Sequence, residues 1–256
     1  MKELNFLIRT LKTAYKKCIK GKLSTIEEKD GDYCLNDLVT NCDLATEKYV
    51  LDQIAKHYPN DNIVSEENNS TNTCHGRSWI LDPIDGTIDF AHNLPMWCLQ
   101  AAFVENGEVK CSVIYCPTLN EMLVADGEKT TVNGKKIARN KNIKLSAAII
   151  NFCDFVQTNN TILKAQIDSM QYLATKCSKI KTFGSAGYEL GCVATGKSDA
   201  YILITNHLWD IEPGKLICKN AGCEIYEGVF HGERFVIASA NKEIENAILA
   251  AFKMSK

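Results

Sequence analysis

The chain has no apolar run of membrane-spanning length and no closely spaced cysteine pair. A transmembrane helix needs roughly 18 or more consecutive apolar residues, and no segment approaches that length. The 12 cysteines among 256 residues include no C-x-x-C pair, which disfavours zinc and iron–sulfur sites. We interpret most of these cysteines as small buried apolar residues in a reducing cytosol.

The charge is balanced, and no common nucleotide or covalent-catalysis signature is present. The 29 basic and 31 acidic residues give a net charge of -2 and are well mixed, so neither nucleic acid nor a membrane surface is an expected partner. No P-loop and no nucleophile elbow is found. The first residues carry apolar positions at helical spacing between lysines and arginine, which indicates an amphipathic helix rather than a signal peptide. A cytoplasmic protein is expected.

The order of predicted elements indicates a layered architecture. With 45% hydrophobic residues the chain can bury the core of one large domain or two packed lobes. The patterns predict helices over 44–57, 161–173, 186–194 and 242–252, and strands over 62–65, 78–81, 99–104, 109–115, 121–125, 147–152, 180–183, 200–204 and 235–238. Asn106-Gly107 between two apolar runs predicts a hairpin turn. A mobile loop is expected over 27–36.

A lobe boundary is predicted in the Lys/Asn-rich segment 135–144. It divides an N-terminal α+β lobe, residues 1–140, from a C-terminal α/β lobe, residues 141–256. A meander in the first lobe and alternating strands and helices in the second favour an α/β or α+β sandwich over a barrel.

An apolar run that ends in two carboxylates carries the strongest chemical signal. Trp79-Ile80-Leu81 leads into Asp82-Pro83-Ile84-Asp85-Gly86, so a buried strand delivers two acidic side chains to one point. Carboxylate, carbonyl and water oxygens are the ligands that Mg²⁺ prefers. The motif therefore predicts a hard-cation site, although a strand ending in a simple Asp-Gly turn would give the same letters.

Two further acidic clusters adjoin other predicted elements. Glu66-Glu67 follows the strand over 62–65, and Trp209-Asp210 stands near the start of the segment 211–221. Buried strand-end charges are costly unless they are paired or bind a metal, which predicts that the clusters converge. Taken alone, the glutamates could form a solvated loop pair, and Asp210 could be a helix N-cap with Pro213 in the first turn.

These motifs together resemble the inositol monophosphatase family of Mg²⁺-dependent, lithium-sensitive sugar and polyol phosphatases. The first family motif is similar to residues 79–95, WILDPIDGTIDFAHNLP, and the second is similar to residues 209–214, WDIEPG, followed by Ala221-Gly222. Residues 37–43, DLVTNCD, and 63–67, IVSEE, stand where the family has two upstream elements. The resemblance implies a five-layer α/β/α/β/α sandwich of two lobes and a homodimer.

The resemblance also implies a set of metal ligands. Glu66, Asp82 and the backbone carbonyl of Ile84 would hold one Mg²⁺. Asp82, Asp85 and Asp210 would hold a second, and a third, weaker ion near Glu66 is common in the family. Mn²⁺ would substitute for Mg²⁺. Glu66 would thus serve in catalysis as well as in metal binding, and Asp85 would also lie against the substrate phosphate.

Other residues gain roles from the same resemblance. Thr87, hydrogen-bonded to Asp43, would orient the attacking water, and the backbone N–H groups of Gly86 and Thr87 would receive phosphate oxygens. Ser185 and Ala186 match the segment that lines the substrate side, although small residues also suit a tight strand-to-helix turn.

The expected reaction is hydrolysis of a small inositol, polyol or sugar phosphate monoester by a metal-activated water. Two departures from the family bear on the substrate: Asp89 replaces an asparagine, and Leu203 stands where inositol-specific members carry a glutamate. Fructose-1,6-bisphosphatase, histidinol-phosphatase and 3'-phosphoadenosine phosphatase activities are alternatives. A regulatory or binding module on the same fold is the non-enzymatic alternative.

Overall fold

The computed structural model describes residues 1–22, 24–28, 38–68 and 73–254. Most of the loop predicted over 27–36 lies outside these residues. The α-helices are α1 (Lys2–Ala14), α2 (Asn41–His57), α3 (Thr87–Ala91), α4 (Asn160–Ala174), α5 (Ala186–Thr195), α6 (Leu208–Ala221) and α7 (Lys242–Ala251). No described helix combines the length and the apolar character that crossing a bilayer requires.

A seven-stranded sheet is built from the first half of the chain. Its strands are β3 (Asn62–Ser65), β4 (Arg77–Asp85), β5 (Cys98–Glu105), β6 (Glu108–Cys116), β7 (Glu121–Ala125), β8 (Thr130–Val132) and β9 (Lys135–Ile137), in that spatial order. Strands β3 and β4 are parallel and the other pairs are antiparallel. The predicted Asn106-Gly107 turn is confirmed, with both residues at positive φ as a type I′ hairpin turn requires.

A five-stranded sheet follows. Its strands are β10 (Ile149–Phe152), β11 (Lys179–Lys181), β12 (Ala200–Ile204), β13 (Glu224–Phe230) and β14 (Glu233–Ser239), in the order β11-β10-β12-β14-β13. The short strands β1 (Ile26–Glu28) and β2 (Leu38–Thr40) pair apart from both sheets. The sequence did not indicate β13, because this edge strand is only partly buried and its polar residues and Gly228 weaken the pattern.

Helices and sheets stack in five layers, as the family resemblance implied. Helices α1 and α2 cover one face of the seven-stranded sheet, and α5 and α6 lie between the two sheets. Helices α4 and α7 cover the outer face of the five-stranded sheet. Apolar side chains from α5, α6 and both sheets form one continuous core. Because α6 packs on both sheets, a residue in its first turn can meet side chains at the end of β4.

Two local predictions need correction. Helix α2 begins at Asn41, three residues before the predicted start, because Thr40 and Asp43 form a reciprocal capping box. Asp210 is not an N-cap: His207 precedes α6, and Asp210 is the third residue of the helix. Its carboxylate is therefore available to neighbouring groups rather than to its own helix terminus.

The cysteines behave as buried apolar residues. Cys34 lies outside the described residues, and the other 11 are free thiols, eight of them buried. Burial raises the pKa of most of these thiols, including that of Cys111 to about 12. Protonated, buried thiols of this kind are packing residues rather than ligands or nucleophiles.

Candidate metal centre

Two carboxylates at the end of β4 face the same side because the strand is irregular there. Side chains alternate along a regular strand, so residues 82 and 85 would point to opposite faces. The pairing with β5 joins Asp82 to Gln100 and Asp85 to Cys98, so three steps on β4 match two on β5. One extra residue resets the alternation, as in a β-bulge, and both side chains reach one site.

Asp210 completes a cluster with this pair. One carboxylate oxygen from each of Asp82, Asp85 and Asp210 lies within 4.8 Å of the others. Asp210 accepts a hydrogen bond from the Thr205 hydroxyl at 3.3 Å. Burial, followed by the charges of Asp85 and Glu66, raises the pKa of Asp210 well above its usual value.

The start of α5 holds Asp85 in place. Its carboxylate accepts hydrogen bonds from the Ser185 hydroxyl at 2.8 Å, from the Ala186 N–H at 3.0 Å and from the Gly187 N–H at 2.6 Å. Burial still raises the pKa of Asp85, although these bonds oppose the rise. The polar groups of Ser185 and Ala186 thus serve Asp85, and their role towards a substrate stays a prediction.

Asp82 is the least satisfied member of the cluster. Its side chain is 2% exposed, and its Oδ1 atom has no hydrogen-bond partner among the described residues. Burial raises its pKa well above the ordinary value, and the nearby charges of Glu66, Asp85 and Asp210 add to the rise. A buried, unpaired carboxylate among other carboxylates is unfavourable without a compensating cation.

The cluster fits a hard divalent cation. The three converging side chains offer only carboxylate oxygens, a donor set that suits Mg²⁺ or Mn²⁺ better than a soft transition metal. Glu66 follows β3 and borders the same cavity, as does Ile84. A bound cation would give Asp82 Oδ1 a partner and would offset the repulsion among the carboxylates.

Thr87 lies at the start of α3 beside this cluster. Its hydroxyl is 3.2 Å from Asp43 Oδ1 and 3.0 Å from the carbonyl oxygen of Ile84. Asp43 is buried and also accepts hydrogen bonds from the backbone N–H and the hydroxyl of Thr40. Burial raises the pKa of Asp43 to about 6. The Thr87–Asp43 contact inferred from the resemblance is therefore present.

Gly86 allows the tight approach of Thr87 to this site. Its φ is +88°, and a Cβ built there would lie 2.9 Å from Ser185 Cβ and 3.2 Å from the Met96 carbonyl oxygen. Any side chain would be strained and would push the loop from its neighbours.

A cavity of about 920 Å³ connects these groups. Of the site residues suggested by the sequence, those that border it are Glu66, Asp82, Ile84, Asp85, Gly86, Thr87, Ala186 and Asp210. Asp43 and Ser185 lie behind the cavity wall, where they contact Thr87 and Asp85 respectively. The structure thus brings together side chains that are more than 100 positions apart.

The cavity wall also carries the two residues at which the sequence departs from the family resemblance. Leu203 and Asp89 both border the cavity. The Oδ2 atom of Asp89 is buried without a hydrogen-bond partner among the described residues. Burial, followed by Asp154 and Asp85, raises the pKa of Asp89 to about 6.

Sequence reasoning missed Asp154, which borders the cavity near Asp89. Its position two residues after the end of β10 repeats a sequence pattern seen at Glu66 and Asp82, in which an acidic residue follows an apolar run. That signal was available in the sequence, but a single acidic residue after an apolar run is too common to single out.

Comparisons with known proteins show the family to which this chain is similar. The chain matches the profile of the inositol monophosphatase family over residues 2–256. It is 31% identical over 230 residues to the fructose-1,6-bisphosphatase/inositol-1-monophosphatase of Thermotoga maritima, an alignment covering 90% of this chain and 84% of that protein. It is also 31% identical to the Nus factor SuhB of Pasteurella multocida, over 86% of this chain and 82% of that one.

The fold agrees as well. A solved inositol monophosphatase (IMPase) structure from Thermotoga maritima superposes with a TM-score of 0.85 at 29% identity, covering 99% of this chain and 97% of that chain. The match of the family profile to the whole described chain, together with the shared fold, identifies this protein as a member of the inositol monophosphatase family.

Proposed function

We propose that this protein is a Mg²⁺-dependent phosphatase that hydrolyses a small inositol, polyol or sugar phosphate monoester to the alcohol and inorganic phosphate. The observation that carries the proposal is the cluster of Asp82, Asp85 and Asp210 on one cavity with Thr87 beside it. Membership of a phosphatase family supports the same reaction class.

The metal would be held by the side chains of Glu66, Asp82, Asp85 and Asp210 and by the Ile84 carbonyl, as two ions with Asp82 shared, or three. When bound, Mg²⁺ supplies positive charge that stabilises the phosphoryl transition state and lowers the pKa of water. The protein itself holds the carboxylates in position before the substrate arrives. The N-terminus of α5 does this for Asp85, and Thr205 does it for Asp210.

Thr87 has the geometry to orient the attacking water. Its hydroxyl carries one hydrogen, which it donates towards Asp43 or Ile84, and its lone pairs remain able to accept a hydrogen bond from water. The water oxygen forms the new bond to phosphorus and loses a proton, the ester P–O bond breaks, and the leaving alkoxide takes up one proton, so that the net transfer is from water to the alcohol. The backbone N–H groups of Gly86 and Thr87 donate hydrogen bonds to phosphate oxygens.

Replacing Thr87 by alanine should lower kcat by about a hundredfold, the size expected when a group that positions a reacting proton is lost. Melting temperature should change little, because Thr87 is only partly buried. Thr87→Ser keeps the hydroxyl and is the matched control, which should retain most of the activity. Equal losses in the two variants, measured by initial rates of phosphate release, would argue against a role for the hydroxyl.

The substrate is best sought among small phosphate esters. The Thermotoga relative is named for fructose-1,6-bisphosphatase and inositol-1-monophosphatase activities, so those two substrates come first, followed by histidinol phosphate and 3'-phosphoadenosine compounds. Leu203 offers no hydrogen bond to substrate hydroxyls at its place on the cavity wall, whereas Asp89 and Asp154 border the same cavity. Inositol itself is therefore one candidate among several.

We expect phosphate release from at least one member of this panel with Mg²⁺, none after the metal is removed with EDTA, and recovery when Mg²⁺ or Mn²⁺ is added back. Millimolar lithium should inhibit, because the ligands Asp82, Asp85 and Asp210 would admit a small monovalent cation in place of one Mg²⁺. Activity that is indifferent to both EDTA and lithium would contradict the proposed site.

A regulatory module on the same fold is the second candidate. The observation that favours it is the similarity to proteins named Nus factor SuhB. Purified protein that hydrolyses none of the panel compounds, yet still binds Mn²⁺ at the acidic cluster, would favour this candidate over the phosphatase.

A further inference from the structure

Helix α2 carries two buried carboxylates near its start, and each contacts a different segment beside the metal centre. Asp43 and Glu47 are four residues apart, so they lie on one face of the helix, one turn apart, and neither side chain is exposed to solvent. Asp43 contacts Thr87. Glu47 contacts a different segment, the turn that follows β3.

The contacts of Glu47 are concentrated on two consecutive residues. Its Oε1 atom accepts hydrogen bonds from the backbone N–H groups of Glu67 at 3.3 Å and Asn68 at 3.2 Å. Its Oε2 atom accepts a hydrogen bond from the side-chain amide of Asn68. A fully buried carboxylate is tolerated when such donors compensate it, and bonds to a charged acceptor are roughly twice as strong as neutral ones.

The turn that Glu47 holds begins with Glu66. Strand β3 is a four-residue edge strand, and its last pairing joins Ser65 to Leu81 of β4. The next residue, Glu66, therefore leaves the sheet beside Asp82. The three bonds to Glu47 anchor the residues immediately after it.

We propose that Glu47 is a positioning residue that fixes Glu66 towards the metal centre. Together with the Asp43–Thr87 contact, it makes α2 the element that orders two separate segments of the site. The inference rests on the proposed function, because it assigns Glu66 to metal binding. A residue that orients a metal ligand through a hydrogen bond typically changes metal affinity or activity 10- to 100-fold when it is replaced.

The experiment compares three variants with the wild-type protein. Glu47→Met keeps the length of the side chain and removes both acceptors, whereas Glu47→Gln keeps one weaker, neutral acceptor. Asp52→Asn is the control, since it makes the same acid-to-amide change on the same helix at a side chain that is 61% exposed. Amide hydrogen exchange of residues 66–68 in the metal-free protein is the first readout. Mn²⁺ binding by calorimetry and the Mg²⁺ dependence of activity are the others.

In the metal-free wild type, the amides of Glu67 and Asn68 should be protected from exchange. Their exchange should accelerate at least several-fold in Glu47→Gln and further in Glu47→Met. The half-saturating concentrations of Mn²⁺ and Mg²⁺ should rise about 10- to 100-fold in Glu47→Met and less in Glu47→Gln. The kcat at saturating Mg²⁺ should stay close to that of the wild type, and Asp52→Asn should match the wild type in every readout.

Unprotected amides at these two positions in the wild type would overturn the proposal, even if Glu47→Met failed to fold. So would faster exchange in Glu47→Gln without any change in the metal concentration required. Failure of the proposed function would be a distinguishable result, because the wild-type protein would then bind Mn²⁺ without hydrolysing any substrate. Amide exchange and calorimetry would still test the role of Glu47 in that case.

Discussion

Replacing Asp82 by asparagine should lower Mg²⁺-dependent turnover by about a thousandfold, the upper range for removing one electrostatic stabiliser from a preorganised site. Asp82 lies among Glu66, Asp85 and Asp210 and has an oxygen without a hydrogen-bond partner among the described residues. It is the side chain that would be shared between two ions. Asparagine keeps the shape and removes the charge that a cation requires.

The same substitution should leave the metal-free protein folded and somewhat more stable. Removing one carboxylate relieves repulsion within a buried acidic cluster, so the Tm in EDTA should rise. Mg²⁺ should raise the Tm of the wild type, because a ligand that binds the folded state stabilises it, and should have little effect on Asp82→Asn. Asp168→Asn, an exposed acid-to-amide change, is the control. A variant with near-normal turnover and an undiminished Mg²⁺ shift would contradict the shared-ligand role.

Replacing Gly187 by alanine should disrupt the site through packing. A Cβ at this position would lie 2.6 Å from Gln100 Oε1, 2.8 Å from Cys98 Sγ and 2.9 Å from Asp85 Oδ2. All three neighbours are buried, so α5 must shift away from β5 and weaken the hydrogen bond from the Gly187 N–H to Asp85. We expect a loss of about 2 kcal/mol in the free energy of unfolding, measured by urea denaturation, with weaker metal binding.

Gly191 offers a matched control on the same helix. Among the described residues, a Cβ there would meet only Leu123, with 3.3 Å to its nearer methyl carbon. Alanine is favoured over glycine in a helix by up to about 1 kcal/mol. Gly191→Ala should therefore be neutral or slightly stabilising and keep its activity. If both alanine variants behaved alike, contact between α5 and Asp85 would not be what sets the position of that carboxylate.

Local sequence patterns predicted much of the fold. The Asn106-Gly107 hairpin, the predominantly buried strand β4 and the alternation of strands and helices after residue 147 each follow from short-range signals, and each is present. The local patterns did not predict a strand that forms through contacts with residues outside its own pattern. Strand β13 is formed by its pairing with β14 rather than by its own residue pattern.

The site was predictable in its chemistry but not in its geometry. The order of motifs pointed to Asp82, Asp85 and Asp210, yet strict strand alternation would have placed the first two on opposite faces. Only the irregular pairing with β5 shows how they meet. Glu47 gave no signal at all, because a glutamate in the middle of an amphipathic helix normally faces solvent, and its burial depends on the turn after β3.

A crystal of this protein soaked in a manganese salt, with anomalous diffraction recorded at the manganese edge, would show whether the three aspartates hold a divalent cation. We expect an anomalous peak bonded to oxygens of Asp82, Asp85 and Asp210. A map with manganese bound elsewhere, or with these three carboxylates free of any ion at saturating manganese, would contradict this expectation.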